Sequence, residues 1–338
     1  MLINGNMVLG STLLYRASSM ATVTYDLTNC TSSNQQGTIR ANSSYTTNLI
    51  ASTTFTYCGA QVFMGGQDIT LDCYDISTGT ITINRVTGNI VIKGESIHEF
   101  SNASWFVIKN VAQNNFASNV GWAIGDTKQI AIGANSYNVR ICDMTQERYE
   151  YYSDATRKSN MVFECTELYV TNYVRHTSAG TGNYAQNSLN TTYLEQIIPN
   201  LPSDLASLLE MVKIRNIYYT SEGSYSTSYS NAKLFPPSCK EIGTSFGGSP
   251  DITYEYYAEY GISAKMKKRV GQTDYQQWWL RDGCWWRDTT FNNIISGQIG
   301  CAIESNGSVF TGGTGETHYY NRSSSVDKTN GVPLFWAW

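Results

Sequence analysis

The chain has little charge, few histidines and no C-x-x-C pair, and each shortage removes a class of function. Charged residues make up 15% of 338 and the net charge is −4. No basic stripe runs along the sequence, which argues against nucleic acid as a partner. The one basic run, Lys265-Met266-Lys267-Lys268-Arg269, reads as a solvated face. With three histidines and cysteines at no metal-ligand spacing, no zinc site is expected. Asp72, Asp75 and Asp126 fall in turns, and Asp251, Glu255 and Glu259 read as one solvated acidic helix face, so nothing points to calcium. Neither metal nor cofactor is expected. No apolar run is long enough to span a bilayer, and the first residues lack the basic start and apolar run of an export signal. Membrane insertion and standard secretion are therefore not expected. Eight cysteines (Cys30, Cys58, Cys73, Cys142, Cys165, Cys239, Cys284 and Cys301) permit disulfides by their even number, but free buried thiols are the simpler reading.

What is present is aromatic and β-prone. Tyrosine is the commonest aromatic, and Ser, Thr, Asn and Gly dominate the polar residues, a composition suited to β-rich proteins that display a surface. The expected class is mainly β with some α. Residues 1–20 read as an arm, with a short apolar patch at Leu13-Leu14-Tyr15 and no core of its own. Residues 21–95 carry short alternating runs at regular spacing: Thr22–Leu27, Ser44–Ile50, Ala60–Met64, Gln67–Thr70, Gly79–Ile83 and Gly88–Ile92. Glycine-rich turns separate them, which predicts a small β-sandwich.

The stretches TVTYDLTNCTSSN, SSYTTNLIAS, VFMGGQDIT and GTITINRVTGNIVI resemble the immunoglobulin-like module found in structural proteins of phages that infect Gram-positive gut bacteria. The resemblance covers about seventy residues. It implies a spacer or adhesion module without catalytic residues.

Residues 96–338 read as a second domain. Gln129–Ile132 and Tyr137–Ile141 flank Gly133-Ala134-Asn135-Ser136 as a hairpin. Leu189–Ile198 has helical spacing and is closed by Pro199. Asp204–Val212, capped by Ser203, is a second predicted helix, and residues 221–231 are predicted to be a polar loop. Six of the eight tryptophans lie at or beyond position 278: Trp278, Trp279, Trp285, Trp286, Trp336 and Trp338.

The ordered set WAIGDTKQIAIGANSYNVRICDM, NSLNTTYLEQIIPNL, KLFPPSCKEIG, WWLRDG and GVPLFWAW resembles the C-type-lectin-fold domain of phage and bacterial surface proteins. That domain is related to the formylglycine-generating-enzyme fold. Asp282-Gly283-Cys284 departs from the Ser-Pro often found there. The resemblance implies an α+β C-type-lectin-like domain following the immunoglobulin-like β-sandwich. Some members are variable proteins of diversity-generating retroelements, in which surface codons are rewritten on a constant scaffold.

On that resemblance Trp278, Trp279, Leu280, Val332, Leu334 and Trp336 form a structural frame. Trp278, Leu280, Val332, Leu334 and Trp336 alternate along two extended runs that suit paired central strands. The ligand-contacting residues are expected to be Trp286, Asp288, Thr289, Asn292, Asn293, Ser305, Asn306, Thr317, His318, Tyr319, Tyr320, Asn321 and Arg322. Trp286, Tyr319 and Tyr320 are expected to be exposed, as rigid aromatics at binding hot spots are. The implied function is that of a non-enzymatic phage virion fibre or adhesin on capsid, collar or tail. It binds a host cell-surface receptor, protein or glycan, through variable loops. The resemblance also implies a homotrimer whose N-terminal arm meets other virion proteins. The alternatives are a bacterial cell-surface adhesin and a formylglycine-generating-type oxidase, for which Cys284 and Cys301 are the one available cysteine pair.

Overall fold

Strand outweighs helix along the chain, as alternating apolar and polar residues favour, and the fold is mainly β with few helices. The computed structural model describes the chain except residues 1, 4–5, 10–11, 16–19, 27–43, 49–51, 59, 73–77, 96–98, 170–182, 188, 222–223, 289–294, 304, 311–312 and 315–331. For parts of several strands, including 284–288 and 295–302, it describes the backbone alone. The chain divides into two compact units, Met1–Asn110 and Val111–Trp338.

In the first unit, Leu2–Ile3, Asn6–Leu9 and Thr12–Tyr15 form an antiparallel three-stranded sheet where the sequence suggests an arm. A five-stranded sheet follows in the order Ser44–Asn48, Met20–Asp26, Ile90–Glu95, Asp68–Asp72, Ala60–Gly65. Ile90–Glu95 runs parallel to both neighbours, with Ile90 beside Val23 and Ile92 beside Ile69. Ala21, Val23, Ile69, Ile90 and Ile92 thus share one face, and all are buried. Thr53–Cys58, a strand the sequence reading omits, pairs with Thr78–Ile83.

The Met-Gly-Gly-Gln-Asp motif has a physical reason. Gly66 turns the hairpin at φ 68 between Gly65 and Asp68, a conformation that glycine adopts without strain. Gln67 then pins the neighbouring loop, its Nε2 donating to the Arg85 carbonyl at 2.6 Å and its Oε1 accepting from Thr87 N at 3.0 Å. Asp68 accepts from Val91 N at 2.9 Å, and Asn89 accepts from Thr22 N at 3.0 Å.

The second unit holds two main sheets. One is antiparallel and four-stranded: Thr127–Ile132, Asn135–Asp143, Val162–Cys165, Phe335–Ala337. Its first hairpin turns at Gly133-Ala134, with Ile132 opposite Asn135 and Gly133 at φ 60. The other sheet runs Glu150–Tyr151, Val212–Ser221, Trp278–Asp288, Ile295–Ile303, Val309–Phe310; Ser224–Ala232 and Gly313–Thr314 pair at its sides. The helix Glu255–Lys265 belongs to the same unit.

Several expectations are corrected. Residues 221–231 are not a loop: Ser224–Ala232 is a strand paired along the length of Val212–Ser221. Its polarity reflects an edge position with most residues facing water, so composition misleads where pairing decides. The second predicted helix stops at Leu208, because Val212 opens a strand, and no side-chain cap bond precedes it. The segment from Leu189 is a π turn over Leu189–Tyr193, one α turn over Leu194–Ile197 and a 3-10 tail over Ile198–Asn200. Asp251 is not on the helix with Glu255. It is half-buried, and Arg215 reaches it at 3.2 Å.

The frame residues Trp278, Trp279, Leu280, Val332, Leu334 and Trp336 are all buried. Their two runs, however, do not pair with each other. Trp278–Asp288 lies between Val212–Ser221 and Ile295–Ile303, whereas Phe335–Ala337 borders Val162–Cys165 in the other sheet. Alternation reports a buried face without naming the neighbouring strand.

The basic run is the largest correction. Lys267 is 1% exposed, and its ammonium lies 2.6 Å from Glu164, itself wholly buried. Arg140 Nε reaches the same carboxylate at 2.7 Å, and Tyr257 donates to it at 2.8 Å. Burial works against this charge, but Arg140 and Lys267 hold the Glu164 carboxyl below its ordinary range. Removing one partner of a buried ion pair typically costs 3–5 kcal/mol. Because Arg140 remains, Lys267→Met is expected to lower unfolding free energy by about 3 kcal/mol. Lys268→Met, next door and half-buried, is expected to change it by less than about 0.5 kcal/mol. Urea titrations of the two variants check this, and equal midpoints would refute the buried-pair account.

Candidate functional site

Two places in the second unit have the makings of a site: the end of the Trp278–Asp288 strand, and a charged cleft beside Val212–Ser221. The first is built on the Trp-Trp-Leu-Arg-Asp segment. Trp278 donates from Nε1 to the Lys265 carbonyl at 2.9 Å. Arg281, fully buried, donates from Nε to the Arg215 carbonyl at 2.5 Å and from Nη1 to the Pro236 carbonyl at 3.1 Å. Both of its terminal nitrogens grip Glu241. Glu241 also accepts from Tyr149 at 2.6 Å, Tyr254 at 2.9 Å and Ser238 N at 2.8 Å. Burial opposes the Glu241 charge, yet Arg281 and these donors hold the carboxyl below its usual range.

Asp282 accepts from Ile217 N at 2.9 Å and Cys239 N at 2.7 Å. Two adjacent residues thereby lock the 212–221 strand and the 236–241 loop to the central strand. Asp282 serves here as a backbone clamp.

Burial pushes the Asp282 carboxyl up to about 6 from its ordinary 3.8. Between those values the native chain binds more protons than the unfolded chain, so this group's contribution falls as pH rises, by about 3 kcal/mol in all. Glu164 and Glu241 act in the opposite sense. Their stabilisation is present above about pH 4.5 and is lost as pH falls through their depressed folded values. The stability difference between the wild-type chain and Asp282→Asn is therefore expected to move against wild type by about 2 kcal/mol from pH 4 to pH 7. Urea unfolding at each pH reads it, and a flat difference would count against the assignment.

From this locked frame the strand extends outward to Trp286, Arg287 and Asp288. Asp288 lies opposite Ile295, so residues 289–294 join those two strand ends. On the other flank Gly313–Thr314 runs parallel to Trp286–Arg287, so the chain leaves the sheet at Thr314 on that same end. The strand carrying Tyr218 beside Gly283 is also parallel and ends there at Ser221. Three connections thus leave one end of one sheet.

Of the expected contact residues, Trp286 and Asp288 are in this strand end, with their side chains outside the described residues, as is that of Trp285. Thr289, Asn292, Asn293, Thr317, His318, Tyr319, Tyr320, Asn321 and Arg322 lie outside the described residues, within the segments that leave from this end. Ser305 and Asn306 do not join them. Their turn links Ile303, opposite Trp278, to Val309, and so lies at the other end of the sheet, on the order of 30 Å away. Asn306 Oδ1 accepts from Ser308 N at 2.9 Å and Ser308 Oγ at 2.7 Å, a self-satisfied turn. A Cβ on Gly307, at φ 82, would come within 2.6 Å of Ile262, so the turn is seated on the helix.

The second place was missed by sequence reasoning. Two adjoining depressions of about 320 and 190 Å³ share Glu147, Arg148, Tyr149, Arg215 and Asp251. The larger is also lined by Glu150, Lys158, Lys213 and Tyr229. Arg148 is fixed by Asp143 at 2.6 Å and by the Ile252 carbonyl at 2.7 Å, and it lies over the Tyr254 ring. The available signal was the alternation of Lys213 and Arg215. Reading 221–231 as a loop concealed that Tyr229 sits across the ladder from Arg215.

Among the described residues no group of three or more His, Cys, Asp or Glu is placed to hold a metal ion. Among the same residues, no helix is long and apolar enough to cross a membrane. Cys142, Cys165 and Cys239 are buried, the first two as free thiols, and burial raises the Cys165 thiol. Cys284 lies opposite Ile299, two positions from Cys301 in the adjacent strand; the side chains of both are outside the described residues, and Cys30, Cys58 and Cys73 have no described side chains either.

Residues 159–322 match a family described as a domain of unknown function, DUF6273. The matched stretch contains Glu164, Glu241, Lys267, Arg281 and Asp282, and all of the expected contact residues. No curated protein matches the chain. No solved structure matches it.

Proposed function

We propose that this chain is a virion adhesin whose second unit is a C-type-lectin-like scaffold displaying receptor-contacting loops. The first unit is its immunoglobulin-like spacer. The observation that carries this reading is the convergence of connections at one sheet end. Residues 289–294 and 315–331 both leave beside Trp286–Asp288, and the Trp278–Asp288 strand is held by the buried Arg281 and Asp282 bonds. A rigid base with Asn-, Ser-, Thr- and Tyr-bearing segments at one end suits a surface that changes its contacts without changing its fold. Trp286, Asp288, Thr289, Asn292, Asn293 and Thr317–Arg322 are the contact set. Ser305 and Asn306, at the far end, leave it.

The adhesin acts as a homotrimer on the particle, where several weak contacts sum to avidity. Its loops are the product of a diversity-generating retroelement. Genomic sequence tests that origin directly: a reverse transcriptase gene and a near-copy of the 3′ end differing at adenines are expected nearby. For binding, fluorescent full-length protein is applied to a panel of Gram-positive gut bacteria. Replacing 289–294 and 317–322 by Gly-Ser segments of equal length is expected to abolish cell labelling while leaving the thermal midpoint unchanged. Undiminished labelling by the replaced protein would overturn the assignment of the face.

A further inference from the structure

We propose that the cleft beside Val212–Ser221 is a second binding site, fixed on the scaffold, that takes a neutral pyranose sugar. Its place is separate from the loop end. Tyr218 lies beside Gly283, so Lys213 and Asp288 are displaced in opposite directions along the sheet, on the order of 30 Å apart. The site does not depend on the displayed loops.

The chemistry comes from three features. The first is an aromatic wall. Tyr229 is 50% exposed on the edge strand; the Lys213 ammonium and the Arg215 guanidinium lie over its ring at 4.9 and 5.8 Å, and the part of the ring that stays exposed offers an apolar surface to the C–H face of a sugar. The second is alternation of charge around it. Lys158 and Lys213 both hold Glu150, at 2.8 and 3.4 Å, and Arg215 holds Asp251 at 3.2 Å. A sugar hydroxyl donates one hydrogen bond and accepts another, so neighbouring ammonium and carboxylate groups serve vicinal hydroxyls in pairs. The third is balance. The accessible cations are matched by Glu150, Asp251 and Glu147, which leaves no strong preference for an anionic ligand.

The lining is also held in place. Glu147 adopts φ 57, rare for a residue with a side chain, and its N–H is bonded to Asn160 Oδ1 at 3.1 Å. Tyr149 and Arg148 form the floor, anchored to Glu241 and Asp143. A volume of about 320 Å³ is at the small end of ligand sites, which suits one or two rings.

The test is saturation-transfer NMR on the full chain with methyl glycosides of glucose, galactose, mannose and N-acetylglucosamine, and with lactose. Glucuronate and inorganic phosphate form the anionic arm. Transfer to the C–H protons of at least one neutral sugar is expected, at millimolar affinity. Tyr229→Ala and Glu150→Gln are each expected to weaken it about tenfold. Both residues are solvent-accessible, and circular dichroism verifies that the variants fold. Replacement of 289–294 and 317–322 is expected to leave it unchanged, which separates failure of this site from failure of the loop face. Binding of glucuronate or phosphate alone, no transfer from any neutral sugar, or transfer indifferent to both substitutions would overturn the proposal.

Discussion

Arg281→Met is expected to lower the unfolding free energy by about 4 kcal/mol. The reason is the state in which it leaves Glu241. That carboxylate is 1% exposed, and Arg281 is the partner that grips it with both terminal nitrogens. Methionine fills much of the space but leaves a buried negative charge to the hydroxyls of Tyr149 and Tyr254 and the Ser238 N–H. It also orphans the carbonyls of Arg215 and Pro236. Arg281→Met combined with Glu241→Met is expected to be more stable than Arg281→Met alone, because the uncompensated charge is gone. Urea unfolding followed by far-UV circular dichroism measures the cycle. A double variant no better than the single one would refute the charge-burial account.

Trp336→Ala is expected to cost about 3–5 kcal/mol, the usual range for truncating a buried tryptophan. Trp336 is 1% exposed and stacks on Phe163 at 5.8 Å while meeting Trp338 edge-on at 6.3 Å. Its backbone lies opposite Phe163 in the ladder, so the strand and the ring are held by the same neighbour. Trp338 closes the cluster, donating from Nε1 to the Leu208 carbonyl at 3.2 Å. Removing the central ring leaves a cavity between two strands that cannot close on it. Tyr152→Ala, at a side chain 65% exposed, is the control and is expected to change stability by less than about 0.5 kcal/mol. Thermal melts of the two variants decide it, and similar midpoints would contradict the packing described.

Much of the first unit was legible because its signals are local. Val23, Ile90 and Ile92 announce a buried face by spacing alone, and Gly66 announces its turn. The strand Ser224–Ala232 was not legible in the same way, since Ser, Thr and Tyr serve an exposed ladder and a loop equally well. The candidate loop face was half legible. Residues 289–294 and 317–322 could be named from composition, but that they leave one end of one sheet depends on the Asp288–Ile295 and Trp286–Gly313 registers. Those registers also moved Ser305 and Asn306 to the opposite end. The cleft was invisible, because Tyr229, Arg215, Glu150 and Asp251 come from four separate stretches of chain.

By itself the sequence determined the β character, the frame of tryptophans and the scarcity of free charge. These follow from period, bulk and composition, which act between near neighbours. Tertiary structure alone decided where the charges went. Glu164 meets Lys267 across 103 positions, and Arg281 meets Glu241 across 40. A buried charge is tolerated only with a partner at hydrogen-bond distance, and no local pattern names a partner so far along the chain. For that reason a run of lysines that looks solvated can hold one at the centre of the core.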